Sequence, residues 1–351
     1  MHALIAYPEK VQRHLLHTLL SYTDLAKRLT GLENAEPVID KDPFGGLFAF
    51  SYTTLNDKMV YIYFRASTFG SPKTEYEQIR EQASFMHRHP DAYYFALILR
   101  EAWFEWPEGY VERRLGLPLR RLGYETLVPA LEGLRLTQLP DSIRSEIQAY
   151  QRHLQKEYEG ILHPVRLPEL RLRQYAVLWH IRRAFMSRWA SSENALIEWD
   201  IRTQPHVHSS HLDQVFLRQY PPHRLHMESY ELSLFWELER EGLFLRVGLP
   251  PMREKIARAV HHHLRKQAQL CAAEYFALGR TRGTLKGIDT YHAREVNLLR
   301  IEVPELQQLI EMREAETFHV LSDEVAEDLA VAVGLLPEIS KRVGGVSVSI
   351  R

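Results

Sequence analysis

The sequence predicts an α/β protein, with an N-terminal mixed-sheet domain of α-β-β-β-α-β order and a mainly helical C-terminal domain containing a β-hairpin. Three observations predict it. Val11, Leu15, Leu16, Leu19, Leu20, Leu25 and Leu29 recur with a period near 3.6, as on one face of a helix. Two aromatic and aliphatic runs then flank the turn signal Asn56-Asp57. The run Tyr93-Tyr94-Phe95-Ala96-Leu97-Ile98-Leu99 is continuously apolar, which suits a strand covered on both faces. At 351 residues the chain suits about two domains. Its 45% hydrophobic and 25% charged content is that of an ordinary globular core and surface.

Each element has a local cause. Pro8 suits the first turn of the opening helix, and Gly31 its stop. Pro37-Val38-Ile39-Asp40 reads as a short strand ahead of the turn Asp42-Pro43-Phe44-Gly45-Gly46. Residues 47–52 and 59–64 form the hairpin. Gly70-Ser71-Pro72 breaks the strand, and 73–89 reads as an amphipathic helix burying Tyr76, Ile79, Ala83 and Met86. After the strand at 93–99, Leu122 to Leu127 leads into a short helix near Leu134, and 140–159 is a polar helix. The first domain is expected over 1–140, a connecting helix and linker over 141–168, and the second domain over 169–351. In that domain 169–189 is helical, 195–202 a short strand, and 203–229 has no clear period. A hairpin is expected at 231–248, around Glu239-Arg240-Glu241-Gly242. A long helix follows over 250–278, then a strand at 298–303 and helices at 304–316 and 322–336.

Composition excludes several classes. With 44 Lys+Arg against 45 Asp+Glu, the net charge of -1 rules out a uniformly basic coat protein or an acidic tail, but leaves room for a local basic groove. One cysteine, Cys271, excludes an internal disulfide and suits a reducing, cytoplasmic setting. No apolar run reaches about 18 residues, and Met1 to Lys10 lacks the basic start and apolar core of a signal peptide. No membrane partner is therefore expected.

The order of elements over residues 1–135 resembles the PD-(D/E)XK nuclease superfamily. Two motifs sharpen the likeness. Glu75-Tyr76-Glu77-Gln78-Ile79 places a Gln on the helix after the catalytic strand, and Leu122-Gly123-Tyr124-Glu125-Thr126-Leu127 is similar to the family's LSYEEIL ending. The resemblance implies carboxylates on two strands holding Mg²⁺, a hard ion that takes oxygen ligands, with a lysine helping to activate water. The position expected for the acid and lysine reads Tyr63-Phe64-Arg65-Ala66-Ser67, with neither. Arginine stays protonated and is no ready general base. Asp40, Asp42, Glu75 and Glu77 are the carboxylates available for a rearranged site, and Glu9 matches an acid on the first helix. The plainer account of Glu75 and Glu77 is a first helical turn whose charge suits the dipole.

Other constellations are weaker. His206, His208 and His211 have metal-like spacing, but no HExxH or paired CxxC supports a metal centre. Arg280, Arg282 and Lys286 lie in a glycine-rich loop suited to phosphates, though it is not a Walker A loop. Arg182 and Arg183, beside Trp179, form a second basic stretch suited to single strands. No GxSxG elbow is present.

The expectation is a nucleic-acid-associated binding or scaffold subunit of a prokaryotic DNA-processing or defence assembly, with a pseudo-nuclease domain. Its partners would be DNA or RNA and other protein subunits. The alternatives are a Mg-dependent nuclease with a rearranged acidic site and a protein-interaction subunit without nucleic-acid contact.

Overall fold

A computed structural model describes residues 7–39, 48–66, 83–106, 116–189, 197–204, 214–227, 230–240, 242–252, 254–277, 295–312 and 316–344. The chain divides into two units, Met1–Leu172 and Arg173–Arg351.

The first unit opens with α1 (Glu9–Tyr22), whose Leu15, Leu16, Leu19 and Leu20 are buried, and α2 (Leu25–Thr30). Gly31 ends α2 at φ 77°, a left-handed conformation that glycine adopts without a Cβ penalty. β1 (Phe50–Thr53) and β2 (Met59–Arg65) form the antiparallel hairpin, with Asp57 at φ 56° in its turn. The expected strand at 37–40 contributes only an isolated bridge, Ile39 to Ser51. Residues 83–88 are helical. β3 (Tyr93–Ile98) and β4 (Leu119–Leu122) then add in parallel, giving the order β1-β2-β3-β4. Phe48, Tyr61, Phe85 and Tyr94 form a ring cluster with centroids 5.2–6.2 Å apart. Such contacts add about 0.5–1.5 kcal/mol per pair beyond area burial.

Three further helices complete this unit: α3 (Arg100–Glu105), α4 (Tyr124–Leu131) and α5 (Asp141–Leu162). Neither α3 nor β4 is among the elements expected from the sequence, and the short helix is expected later, near Leu134. α5 was expected in a connector, yet it buries Ile147, Tyr150, Leu154 and Ile161 within the first unit. The division of the chain accordingly falls after Leu172.

In the second unit, α6 (Leu170–Trp189) crosses the boundary and buries Phe185 against Trp199 at a ring distance of 5.9 Å. The expected hairpin is present as β8 (Tyr230–Glu239) and β9 (Gly242–Gly248). β5 (Glu198–Gln204), β6 (Gln214–Tyr220), β7 (His223–Met227) and β10 (Glu295–Ile301) extend it into a six-stranded antiparallel sheet. Leu232, Leu234, Trp236 and Leu238 on β8 share a buried face with Leu243, Leu245 and Val247 on β9. The helices α7 (Glu254–Ala277), α8 (Pro304–Glu311) and α9 (Phe318–Gly344) follow, and α9 and α7 pack on the sheet.

β6 and β7 both pair with β8, but the register shifts by two residues across the Tyr220 to Pro222 step. Gln219 repairs the gap: its Oε1 accepts the Trp236 backbone N–H at 3.2 Å.

Candidate functional site at the carboxyl edge of the parallel strands

Because β2, β3 and β4 are parallel, their carboxyl ends share one edge of the sheet. Open α/β sheets bind ligands at that edge. β2 ends in Arg65. Its carbonyl accepts the Leu99 N–H at 2.8 Å, which fixes the end of β2 beside the end of β3. Glu9, in the first turn of α1, reaches the same place. Its Oε2 accepts the Ala66 N–H at 3.0 Å, and its Oε1 lies 3.9 Å from Arg65 Nη1. One turn later, Arg13 donates to the Ala49 carbonyl at 3.3 Å.

This is where the resemblance sets its metal-binding carboxylates. The described donors do not fit such an ion. They offer one carboxylate, already engaged by an N–H and facing a guanidinium, whereas Mg²⁺ demands an octahedral shell of oxygens. Among the described residues no three His, Cys, Asp or Glu side chains converge as a metal site. Asp40, Asp42, Glu75 and Glu77 lie outside the described residues.

The end of β3 carries a buried ionic network that the sequence reading missed. Arg100 stands at φ 49°, left-handed backbone that costs a non-glycine residue about 1–3 kcal/mol. Its surroundings hold it there. The Arg100 N–H donates to the Tyr124 hydroxyl at 3.0 Å. Its guanidinium donates to Glu157 at 3.2 Å, Glu169 at 2.8 Å and Glu101 at 3.4 Å. The Tyr124 hydroxyl in turn donates to Glu157 Oε2 at 2.5 Å.

Burial sets the electrostatics of this cluster. Burial opposes the charge on Arg100, but Glu157, Glu101 and Glu169 outweigh it and hold the guanidinium protonated. Burial pushes Glu157 up, against the pull of Arg100 and Tyr124. Burial and the nearby Glu157 carboxylate push the Tyr124 hydroxyl well above its usual range. His153, one turn before Glu157, is lowered to about 4, first by burial and then by the Arg100 charge. It is neutral at pH 7.

The network also fastens the start of α1. The Tyr7 ring lies 4.8 Å from His153 and 5.2 Å from Tyr150. Tyr150 donates to Gln12 Oε1 at 3.0 Å, and Gln12 Nε2 donates to the Tyr7 carbonyl at 2.9 Å. Glu9, between them in sequence, is thereby held against Ala66. The buried cluster acts by position: it fixes the edge that Glu9 and Arg65 occupy. One signal for it lies in the sequence. Ile147, Tyr150, Leu154, Glu157 and Ile161 form one buried stripe of α5, and a carboxylate in such a stripe demands a buried partner.

The other expected residues are not brought to this edge. Arg182 is only 9% exposed, whereas its neighbour Arg183 faces outward with its guanidinium 5.4 Å from the Trp179 ring centre. Consecutive helix positions diverge by about 100°, so the two do not form one patch. Arg280, Arg282 and Lys286 lie outside the described residues, as do His206, His208 and His211. Cys271 is buried. Among the described residues no helix is long and apolar enough to cross a membrane.

Scans of the chain against protein-family models, curated proteins and solved structures return no match.

Proposed function

We propose that the chain is a nucleic-acid-associated binding or scaffold subunit of a prokaryotic DNA-processing or defence assembly, and that its first unit is a nuclease-like domain that binds without cutting. The pairing of Arg65 with Glu9 at the end of β2 carries this reading. A guanidinium stays protonated and takes no proton from water. It remains a strong donor to phosphate oxygens. Placing it at the site edge favours holding a backbone phosphate over hydrolysing it. The element order supports the reading as well: helix, hairpin, the helical residues 83–88, then a strand parallel to β2. Membership of a larger assembly, with other protein subunits as partners, rests on the resemblance.

The test is a titration of labelled single- and double-stranded DNA and RNA, with and without Mg²⁺, read on native and denaturing gels. The expected result is a complex without cleavage, weakening roughly tenfold or more between about 50 and 200 mM salt. Arg65→Gln should weaken it and reduce the salt slope by about 1. Metal-dependent cleavage that is lost in an Asp40→Ala, Glu75→Ala variant overturns the proposal in favour of an active nuclease. Failure to bind any of the four nucleic acids overturns it in favour of a protein-interaction subunit.

A further inference from the structure

In the second unit, α7 buries Ala257, Val260, Leu264, Ala268, Cys271 and Ala272, a row at helical spacing that packs against β10 and α9. The opposite row, Lys255, Arg258, His262 and Lys266, is exposed. His261, His263 and Arg265 flank it half-buried, and His261 Nε2 lies 3.3 Å from the Asn297 carbonyl oxygen of β10. From Lys255 to Ala273 the sequence holds four Lys and Arg and three His, and no Asp or Glu. A chain with a net charge of -1 thus gathers positive charge on one helix face.

Two of these cations are not neutralised by a neighbour. Arg258 and Arg265 make other interactions, but among the described residues no carboxylate lies within ion-pair distance of Lys255 or Lys266. α9 packs beside α7 and carries Asp323, Glu324, Glu327, Asp328 and Glu338. Arg188 holds Glu327 at 2.7 Å, and Lys341 holds Glu338 at 2.8 Å. The local field acts on His263: burial lowers its pKa first, and Lys266 and His262 lower it further. At helical rise the row from Lys255 to Lys266 is about 16 Å long.

We infer that the exposed face of α7 docks on duplex DNA, with Lys255, His262 and Lys266 meeting its backbone phosphates. Charge selects a polyanion, because ammonium groups without an internal partner gain by displacing the counterions of a phosphate backbone. The absence of Phe, Tyr and Trp between 255 and 273 selects a duplex over a single strand, whose bases need rings to stack on. A helix about 10–12 Å across matches the B-DNA major groove, about 12 Å wide, whereas the major groove of duplex RNA is narrow. Phosphate contacts carry no sequence information, so binding should be indifferent to sequence. The inference rests on the nucleic-acid reading proposed above and gives it a contact surface in the second unit.

The test uses the full chain and two labelled DNA duplexes of unrelated sequence, with a matching single strand and RNA duplex, titrated from about 50 to 200 mM salt. The Lys255→Gln, Lys266→Gln variant removes both charges at exposed positions, and Gln forms helix about as well as Lys, so α7 should stay folded, as circular dichroism checks. A Lys27→Gln, Lys156→Gln variant removes the same charge from exposed positions of the first unit and is the control. Both DNA duplexes should bind wild type and control alike, and more tightly than the single strand or the RNA duplex. The α7 variant should weaken binding at least tenfold at about 50 mM salt and lower the salt slope by about 2. Affinity and slope unchanged in the folded α7 variant, an equal loss in the control, or equally tight binding of single-stranded DNA or duplex RNA overturns the inference. Arg65→Gln separates it from the reading of the first unit. If Arg65→Gln weakens binding and the α7 variant does not, the α7 surface fails alone. If the α7 variant weakens binding and Arg65→Gln does not, the surface stands and the edge at Arg65 fails. If no nucleic acid binds wild type, both fail.

Discussion

Arg100→Met removes the charge at the centre of the first unit while keeping an unbranched apolar stem. Both residues carry a Cβ, so the strain at φ 49° is common to both proteins and cancels. What remains is Glu157, its side chain 5% exposed and left with the Tyr124 hydroxyl but no cation. Breaking one partner of a buried pair costs about 3–5 kcal/mol, because the other charge stays desolvated. Glu169, 42% exposed, is solvent-screened and adds little, whereas Glu101, its side chain 12% exposed, loses its cation as well and puts the cost toward the top of that range. The expected loss is therefore about 3–5 kcal/mol, and it should fall on the first unit alone. Hydrogen exchange followed by mass spectrometry resolves this, since the two units need not unfold as one. Amides of β3, α4 and α5 should lose protection, and those of β8 and β9 should not. Glu157→Leu in the same background should recover most of the loss, because it removes the stranded charge. A cost below about 1 kcal/mol for Arg100→Met, or no recovery in the double variant, refutes the claim that this network holds the edge.

Three other outcomes are expected. The lowered His153 pKa makes the first unit acid-sensitive: between about pH 6.5 and 4 the unfolded chain binds the extra proton, so the His153 contribution is full above that window and falls through it by up to about 3 kcal/mol, offset in part where Glu157, 3.9 Å away and raised by burial, takes up a proton in the folded chain. Unfolding monitored against pH should show this slope, and His153→Phe should flatten it. Gln219→Ala should cost about 1–3 kcal/mol, seen in thermal unfolding, by leaving the Trp236 N–H buried without its acceptor. Gly242→Ala should cost about 2 kcal/mol or more and expose the hairpin amides to exchange, because φ is 139° and a Cβ there would lie 2.4 Å from the Ile301 carbonyl oxygen.

Much of the fold was legible because periodicity reports burial. α1 shows its leucine stripe, β3 its unbroken apolar run, and the two hairpins their turn residues. The rest was hidden for local reasons. β6 alternates Phe216, Arg218 and Tyr220 with Val215, Leu217 and Gln219, so both faces carry large side chains and no period of two stands out. β4 has only four residues, and α3 begins at a left-handed arginine where no helix start is expected. At the candidate site, Glu9 and Arg65 were visible as residue types, but their meeting depends on where α1 crosses the sheet. The Arg100 network joins residues 57 and 69 positions apart, and no local pattern connects them.

The place of α5 bears on what counts as the smallest piece able to fold alone. The sequence alone suggests cutting at residue 140, where a polar helix begins. A fragment ending there would keep every strand of the first sheet, yet lose Glu157 from Arg100 and Tyr150 from Gln12. Its charged centre and its opening helix would both lack their anchors. A module that keeps both anchors extends at least through the end of α5 at Leu162, and a recombination or fusion joint set before that point should give insoluble material.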